Sequence, residues 1–193
     1  VLFHQPQGLT ANGFEPFMLV IMAPWQRRFL LTLYTDVIGM DGTGSINSLR
    51  YELFTLCATD AGGRGVPFCH FVTATKTGEA LTRMLRSVFL RVPSLAPHRV
   101  IIDMDDAEKV AVQNVSKELF GGKMEVRYCW FHVKDAVRRW MVKKGNKYVE
   151  AVQEKVFTFT AFICEVNYHF TEPNFSIKSG APPSVLRPPP EVL

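Results

Sequence analysis

Residues 37–72 read VIGMDGTGSINSLRYELFTLCATDAGGRGVPFCHFV, and they contain three apolar runs separated by turn-forming residues. The runs are residues 37–40, 52–59 and 66–72. Glycine, serine and asparagine dominate the first connection, and residues 60–65 supply turn chemistry for the second. Short apolar runs bounded by such residues are typical of strands joined by turns. This stretch therefore predicts three consecutive strands.

Farther along the chain, helices alternate with strands. Thr77 is a favourable N-cap for a first helix, and residues 99–103 form a run typical of a buried strand. A second helix stops at Gly121 and Gly122, and residues 125–129 alternate as a fifth strand before a third helix. The positions that share a face in the three helices are Ala80, Leu81, Met84, Leu85 and Val88; Ala107, Val110, Ala111, Asn114, Val115 and Leu119; and Val133, Val137, Trp140 and Met141.

The predicted order is βββαβαβα, which indicates a mixed sheet. Three strands in a meander, followed by two strands reached through helical crossovers, combine antiparallel and parallel pairs. The expected fold class is α/β, with a ribonuclease-H-like mixed sheet (βββαβαβ) flanked by helices. We expect residues 1–36 to be a lead-in segment with one strand-like run at 17–22, and residues 37–147 to be the partial core. Residues 148–193, which end in a proline-rich tail, are expected to be divergent or poorly ordered.

Composition excludes several classes of protein. The 193 residues are 47% hydrophobic and 21% charged, with a mean hydropathy of +0.05, as in a globular domain rather than a disordered chain. The longest apolar stretch, 14–24, is interrupted by Glu15 and two prolines, so no membrane span is predicted. The chain begins at Val1 without signal-peptide features, and we expect an internal piece of a longer protein.

Cysteine usage favours a reducing, intracellular compartment. The four cysteines lie in predicted strands or mixed apolar runs rather than in a short, loop-rich framework, so a disulfide scaffold is the less favoured alternative. They are Cys57, Cys69, Cys129 and Cys164.

Positive charge is concentrated in one segment. Residues 123–147 contain eight lysines and arginines against Glu125 and Asp135, a net charge of +6, whereas the whole chain carries +4. This predicts contact with a polyanion, although a run of charges is also typical of an ordinary solvated helix face.

Two aspartates stand where predicted strands end. Asp41 follows residues 37–40, and Asp103 follows residues 100–102. The ends of neighbouring strands converge in a mixed sheet, so we expect the two carboxylates to lie within a few ångströms of each other. Carboxylate oxygens suit Mg²⁺ or Mn²⁺, and two such ions can activate a water and stabilise the leaving oxygen of a phosphodiester. The alternative is that both are turn residues with local hydrogen bonds.

Three other acids have simpler interpretations. Asp36 precedes the first strand and Asp60 lies in a turn, so both are expected to be structural. Asp105, followed three residues later by Glu108, resembles a capping box that satisfies free backbone N–H groups. We therefore predict that Asp105 caps the second helix.

Cys129 and His132 form a C-x-x-H pair after the fifth strand. A structural zinc ion needs four ligands, and no second pair with suitable spacing follows. A cysteine nucleophile would need a third group to orient the histidine, and the sequence identifies none. The simpler interpretation is a packed cysteine and a hydrogen-bonded histidine.

Four blocks occur in order between Trp25 and Lys144. Residues 25–30 precede the first strand, and residues 37–67 contain an Asp-x-Thr after that strand. In residues 100–111 a strand-end aspartate stands eight positions before a helix alanine, and residues 128–133 hold the C-x-x-H pair. Together these blocks resemble the transposase domain of Mutator-like elements, a family of cut-and-paste DNA transposases.

The resemblance implies a ribonuclease-H-like catalytic core that uses Mg²⁺ or Mn²⁺, and it implies that the core in this chain is incomplete at the C-terminus. It makes Asp41 the first catalytic acid and metal ligand, and its register favours Asp103 over Asp105 as the second. Cys129 and His132 correspond to the family's C-x-x-H motif. The family's third acid is a glutamate well downstream, and no later glutamate of this chain matches its context: Glu150, Glu154, Glu165 and Glu172.

The resemblance also implies partners and a location. DNA, both transposon ends and target, would be bound through its phosphates by a basic helix. A nuclear location and self-association are further expectations, and no membrane partner is expected. The candidate DNA-binding residues are Lys134, Arg138, Arg139, Lys143 and Lys144.

Two alternatives remain open from the sequence. One is a catalytically inactive, domesticated or decayed transposase fragment that binds DNA or protein, which the unmatched third acid and the proline-rich tail favour. The other is a nuclease of a different ribonuclease-H-like family, which would leave the C-x-x-H block without an explanation.

Overall fold

Strands from distant parts of the chain pair to form one central sheet. The computed structural model describes residues 1–10 and 13–142, which form a mixed α/β structure with a seven-stranded sheet, a two-stranded ribbon and four helices. The strands are β1 (Phe3–Gln5), β2 (Gly8–Thr10), β3 (Gly13–Glu15), β4 (Met18–Ile21), β5 (Tyr34–Thr43), β6 (Glu52–Thr59), β7 (Gly65–Thr73), β8 (Arg99–Ile102) and β9 (Glu125–Tyr128). The helices are α1 (Pro24–Phe29), α2 (Gly78–Arg91), α3 (Asp106–Leu119) and α4 (Trp130–Val142), with a 3-10 turn at Leu30–Thr32.

The strand order across the sheet is β1-β4-β7-β6-β5-β8-β9, with β2 and β3 forming the separate ribbon. β5, β6 and β7 are antiparallel neighbours, whereas β8 is parallel to β5 and β9 is parallel to β8. The chain reaches β8 through α2 and β9 through α3, so the predicted βββαβαβα order is confirmed. β1 and β4 add to the antiparallel side, which gives the sheet two more strands than the five predicted.

Helix ends follow local chemistry. The Thr77 side chain accepts a backbone hydrogen bond at 3.2 Å from the first turn of α2. Asp105 accepts two such bonds, at 2.9 and 3.1 Å, from the first turn of α3. After α3, Gly121 and Gly122 have φ values of +60° and +78°, which glycine adopts without a steric penalty. The predicted N-caps and the glycine stop are confirmed.

One face of the sheet is buried, and we call it the covered face. Side chains alternate between the two faces of a strand, so every second residue of β4 to β8 points to it. Apolar side chains of α2 and α3, which pack against each other, belong to the same core. The main strand residues of the covered face are Met18, Val20, Ile38, Met40, Phe54, Leu56, Phe71, Val100 and Ile102.

The opposite face, which we call the partly exposed face, is more polar. Thr55, Cys57, His70 and Ile101 are only partly buried there, and Asp41 is exposed. The Thr55 hydroxyl and Nδ1 of His70 are 3.1 Å apart and form a hydrogen bond across β6 and β7. The two faces of the same strands therefore offer different environments.

The last helix departs from its predicted pattern. Met141 is buried, whereas Trp140 is 54% exposed, so the predicted stripe of α4 is not one continuous core face. The limits at residues 36 and 147 stay predictions, and residues 148–193 lie outside the described part of the chain. Within residues 1–10 and 13–142, no helix combines the length and apolar character needed to cross a membrane.

The three cysteines among the described residues, Cys57, Cys69 and Cys129, are free thiols. Burial raises the pKa of Cys69 to about 12, so its thiol stays protonated under ordinary conditions. Cys164 lies outside the described residues.

Candidate active site

Asp41 and Asp103 lie side by side on adjacent parallel strands. Gly39 of β5 pairs with Ile101 of β8, so the residues two positions farther on share the same face and height. Asp103 is the first residue after β8, as predicted. Asp41 lies within β5 rather than at its end, because pairing with β6 continues to Thr43.

His132 brings an imidazole to the two carboxylates. It lies in the first turn of α4, which is held against the end of β8 by a 2.6 Å hydrogen bond from the Cys129 N–H to the Ile102 carbonyl. Nδ1 of His132 is 2.7 Å from Oδ1 of Asp103, and ligand atoms of Asp41, Asp103 and His132 all lie within 4.8 Å of one another. In the described part of the chain, this is the one place where three potential metal ligands converge.

The Cys129 thiol is not part of this convergence, so the described residues supply no zinc site built on Cys129 and His132. With the C-x-x-H spacing, the backbone of Cys129 bonds to the last residue of β8 while the ring of His132 lies beside Asp103. The sequence identifies this motif but does not by itself show that His132 approaches the aspartates. The position of the motif directly after β9, the strand next to β8, is the sequence signal that could have indicated this approach.

A buried carboxyl supports Asp103 from α3. Glu108 is fully buried, and its Oε2 accepts a 3.2 Å hydrogen bond from the backbone N–H of Asp103. Nζ of Lys76 lies 3.5 Å from Oε1 of Glu108 and 3.2 Å from Oδ2 of Asp105. The predicted capping box is therefore wrong in one half. Asp105 caps α3, but the Glu108 carboxyl accepts its hydrogen bond from the Asp103 N–H and not from the Asp105 N–H. This hydrogen bond and the charge of Lys76 stabilise the buried Glu108 carboxyl.

The environment opposes ionisation of the Asp103 and Glu108 carboxyls. Burial raises the pKa of Asp103, and the Asp41 carboxylate raises it further. His132 and Lys76 act in the opposite direction. Burial is also the main cause that raises the pKa of Glu108 to about 7, followed by the charge of Asp103. A cation at this position would relieve the accumulated negative charge.

A family model described as the MULE transposase domain matches residues 37–136, just over half of the chain. The chain belongs to the MULE transposase domain family. The match extends from β5 into α4 and includes Asp41, Asp103 and His132. A search of curated proteins found no match. A transposase domain implies DNA binding in general.

This MULE domain carries exposed positive charge on α4. Lys134, Arg138 and Arg139 are exposed, and Nε of Arg139 is 3.2 Å from Oδ2 of Asp135. Lys143 and Lys144, which were predicted to act with them, lie outside the described residues. The role of all five in DNA binding stays a prediction.

The other acids considered as candidates from the sequence lie away from this site or outside the described residues. Asp60 accepts backbone hydrogen bonds from Gly62 and Arg64 at 2.8 and 2.9 Å, which confirms its turn role. Asp36 lies 3.7 Å from His98 and does not join the convergence at Asp41. The glutamates considered for the third acid lie outside the described residues: Glu150, Glu154, Glu165 and Glu172.

Proposed function

We propose that this chain is a partial catalytic domain of a cut-and-paste DNA transposase. The supporting observation is the convergence of Asp41 and Asp103 from two parallel strands inside the family match. A three-stranded meander followed by two parallel strands agrees with a ribonuclease-H-like core, and we assign that fold to residues 37–136.

In this proposal Asp41 and Asp103 hold Mg²⁺ or Mn²⁺, ions that prefer carboxylate oxygens. When bound, such an ion polarises a phosphodiester and lowers the pKa of an attacking water or hydroxyl. Glu108 keeps Asp103 in place through the backbone N–H. Asp41 is exposed, so a DNA strand can reach it from solvent.

The basic residues of α4 would bind DNA phosphates beside this site. Lys134, Arg138 and Arg139 lie on the helix that also carries His132, so DNA bound along α4 would pass close to the two aspartates. In the intact protein, hydrolysis of one phosphodiester would expose a 3′-hydroxyl, which would then attack target DNA. We propose a nuclear location, where this DNA is found.

One observation favours a second candidate function. The described residues bring two carboxylates and a histidine together, without a third acid. A domesticated or decayed fragment with this geometry would bind DNA, and it would retain metal binding without strand cleavage.

Titration of the full 193-residue chain with Mn²⁺ by calorimetry tests the proposal. Asp41→Asn and Asp103→Asn should each weaken Mn²⁺ binding by at least about tenfold, because even residues that only orient metal ligands cost about 10- to 100-fold when changed. Asp36→Asn is the control, since it alters an exposed acid of the same strand outside the site. Equal Mn²⁺ affinity in all four proteins would contradict the proposed site.

Incubation with supercoiled plasmid and Mn²⁺ separates the two candidate functions. Nicking that disappears in Asp103→Asn supports catalysis by this chain. DNA binding without nicking selects the inactive fragment.

A further inference from the structure

His132 makes an unusual contact with Asp103. Its Nδ1 is buried and lies 2.7 Å from Oδ1 of Asp103, well within hydrogen-bonding distance. Nevertheless, the geometry of this contact is not that of a hydrogen bond, and Nδ1 has no hydrogen-bond partner among the described residues. An ordinary hydrogen bond therefore does not account for this short contact between Nδ1 and Oδ1.

Two lone-pair atoms at this separation repel each other unless a positive charge lies between or beside them. A proton on the line between the atoms would make a hydrogen bond, and this contact does not have the geometry of one. A shared metal ion supplies positive charge to both atoms without that alignment, since neighbouring ligands of one ion with bonds of ~2.1 Å lie only about 3 Å apart. Asp41 supplies a further oxygen within 4.8 Å of both atoms.

We propose that Nδ1 of His132 is the third protein ligand of the divalent ion held by Asp41 and Asp103. The inference rests on the proposed function, because it assumes that the two aspartates bind the ion. It adds a nitrogen donor to the carboxylate pair. Imidazole favours first-row transition metals over Mg²⁺, so the site should prefer Mn²⁺ to Mg²⁺ more strongly than two carboxylates alone would.

The local structure explains how the histidine is held. The backbone N–H of Cys129 bonds to Ile102, the residue before Asp103, and the Val133 N–H bonds to the Cys129 carbonyl at 3.0 Å. These bonds fix the first turn of α4 relative to the end of β8. The spacing of the C-x-x-H pair then places the ring of His132 at the carboxylate of Asp103. Cys129 acts here through its backbone, so its thiol is dispensable for metal binding.

Pulsed EPR of the full chain loaded with Mn²⁺ tests the nitrogen ligand directly. We expect nitrogen hyperfine coupling in the wild-type protein, and we expect it to be lost in His132→Asn. The same variant should bind Mn²⁺ at least about tenfold more weakly and Mg²⁺ with a smaller change. Circular dichroism checks that each variant is folded, and His132→Gln provides a second substitution.

Two control variants make the result specific. Cys129→Ala keeps the backbone hydrogen bond and should keep both the coupling and the Mn²⁺ affinity. His70→Asn changes another histidine of the partly exposed face, which bonds to Thr55, and should likewise keep the coupling. Loss of Mn²⁺ binding in Cys129→Ala would overturn the inference in favour of a thiolate site.

The outcomes also separate this inference from the proposed function. Weaker binding in Asp41→Asn and Asp103→Asn, combined with unchanged coupling and affinity in His132→Asn, would overturn the histidine ligand and leave the carboxylate site standing. Absence of nitrogen coupling in wild-type protein saturated with Mn²⁺ would do the same without any variant. Unchanged Mn²⁺ binding in both aspartate variants would contradict the proposed function itself.

Discussion

The covered face and the partly exposed face of the sheet are built from alternate residues of the same strands. Met40 is buried beneath the helices, and Asp41, its neighbour in β5, is exposed at the candidate site. At β8, Ile102 is likewise buried, and the next residue, Asp103, is only partly buried. Apolar burial on one side holds the strands in place, and the polar groups on the other side gain a fixed geometry from it.

Because of this difference, we expect substitutions at neighbouring residues to change either the free energy of unfolding or the metal affinity, but not both. A change on the covered face should lower the free energy of unfolding without altering the metal affinity of molecules that remain folded. A change at Asp41 or Asp103 on the partly exposed face should lower the metal affinity without lowering the free energy of unfolding.

The largest expected effect is on the covered face. Phe71→Ala removes a fully buried ring of β7 and should lower the free energy of unfolding by about 3–5 kcal/mol, because it leaves a cavity in the core. Val72→Ala, at the next residue on the partly exposed face, should cost about 1 kcal/mol. Urea denaturation measures both. Equal losses would break the distinction between the faces.

Asp103→Asn tests the opposite side. Mn²⁺ affinity should fall about 10- to 100-fold, while the free energy of unfolding should not decrease. Burial raises the pKa of Asp103, so the stability linked to this group is full below its ordinary pKa and is lost as pH rises through the raised value. The asparagine variant should therefore gain relative stability at higher pH. Thermal unfolding that shows a clear loss at about pH 8 would argue that the carboxylate serves the fold.

Glu108 sharpens the comparison because it is a carboxyl buried on the helix side. Its pKa of about 7 exceeds the ordinary 4.5, so its stabilising contribution is full below pH 4.5 and is lost as pH rises through about 7. Glu108→Gln keeps an acceptor for the Asp103 N–H and should stabilise the protein by about 1–2 kcal/mol at about pH 8, with little change at about pH 4. The exposed Glu118→Gln is the control. A loss of stability at about pH 8 that is absent at about pH 4 would instead show that the ion pair with Lys76 dominates.

The smallest expected effect concerns α4. Arg138→Ala should weaken DNA binding and reduce the slope of log affinity against log salt concentration by about one. Arg139→Ala should change the slope less, because Asp135 already pairs with that guanidinium at 3.2 Å. Fluorescence anisotropy of labelled duplex DNA across a salt series compares the two variants. Identical slopes in wild type and Arg138→Ala would remove this residue from the interface.

The core elements from β5 onwards could be predicted from local patterns. The predicted run at residues 52–59 coincides with β6, and Thr77 caps α2 as expected, because alternation and capping depend on neighbouring residues. β1 could not be predicted, since three residues carry no period and its place depends on pairing with β4. The strand-like run at 17–22 became β4, but its position beside β7 is a long-range property.

The site was predictable only in part, for the same reason. Asp41 lies within β5 and Asp103 directly follows β8, and the parallel orientation of these two strands could be inferred from the meander and the helical crossover that leads to β8. The approach of His132 depends on the contact between Cys129 and Ile102, which joins β8 to α4. The role of Glu108 depends on tertiary packing that a capping pattern does not contain.

A crystal structure of the full chain grown with Mn²⁺, with anomalous diffraction to locate the ion, tests the proposed metal site most directly. We expect an anomalous peak bonded to one oxygen of Asp41 and one of Asp103, with Nδ1 of His132 as a further ligand. A peak bound by Cys129 and His132 without either aspartate, or no peak at this edge of the sheet under saturating Mn²⁺, would contradict the proposed site.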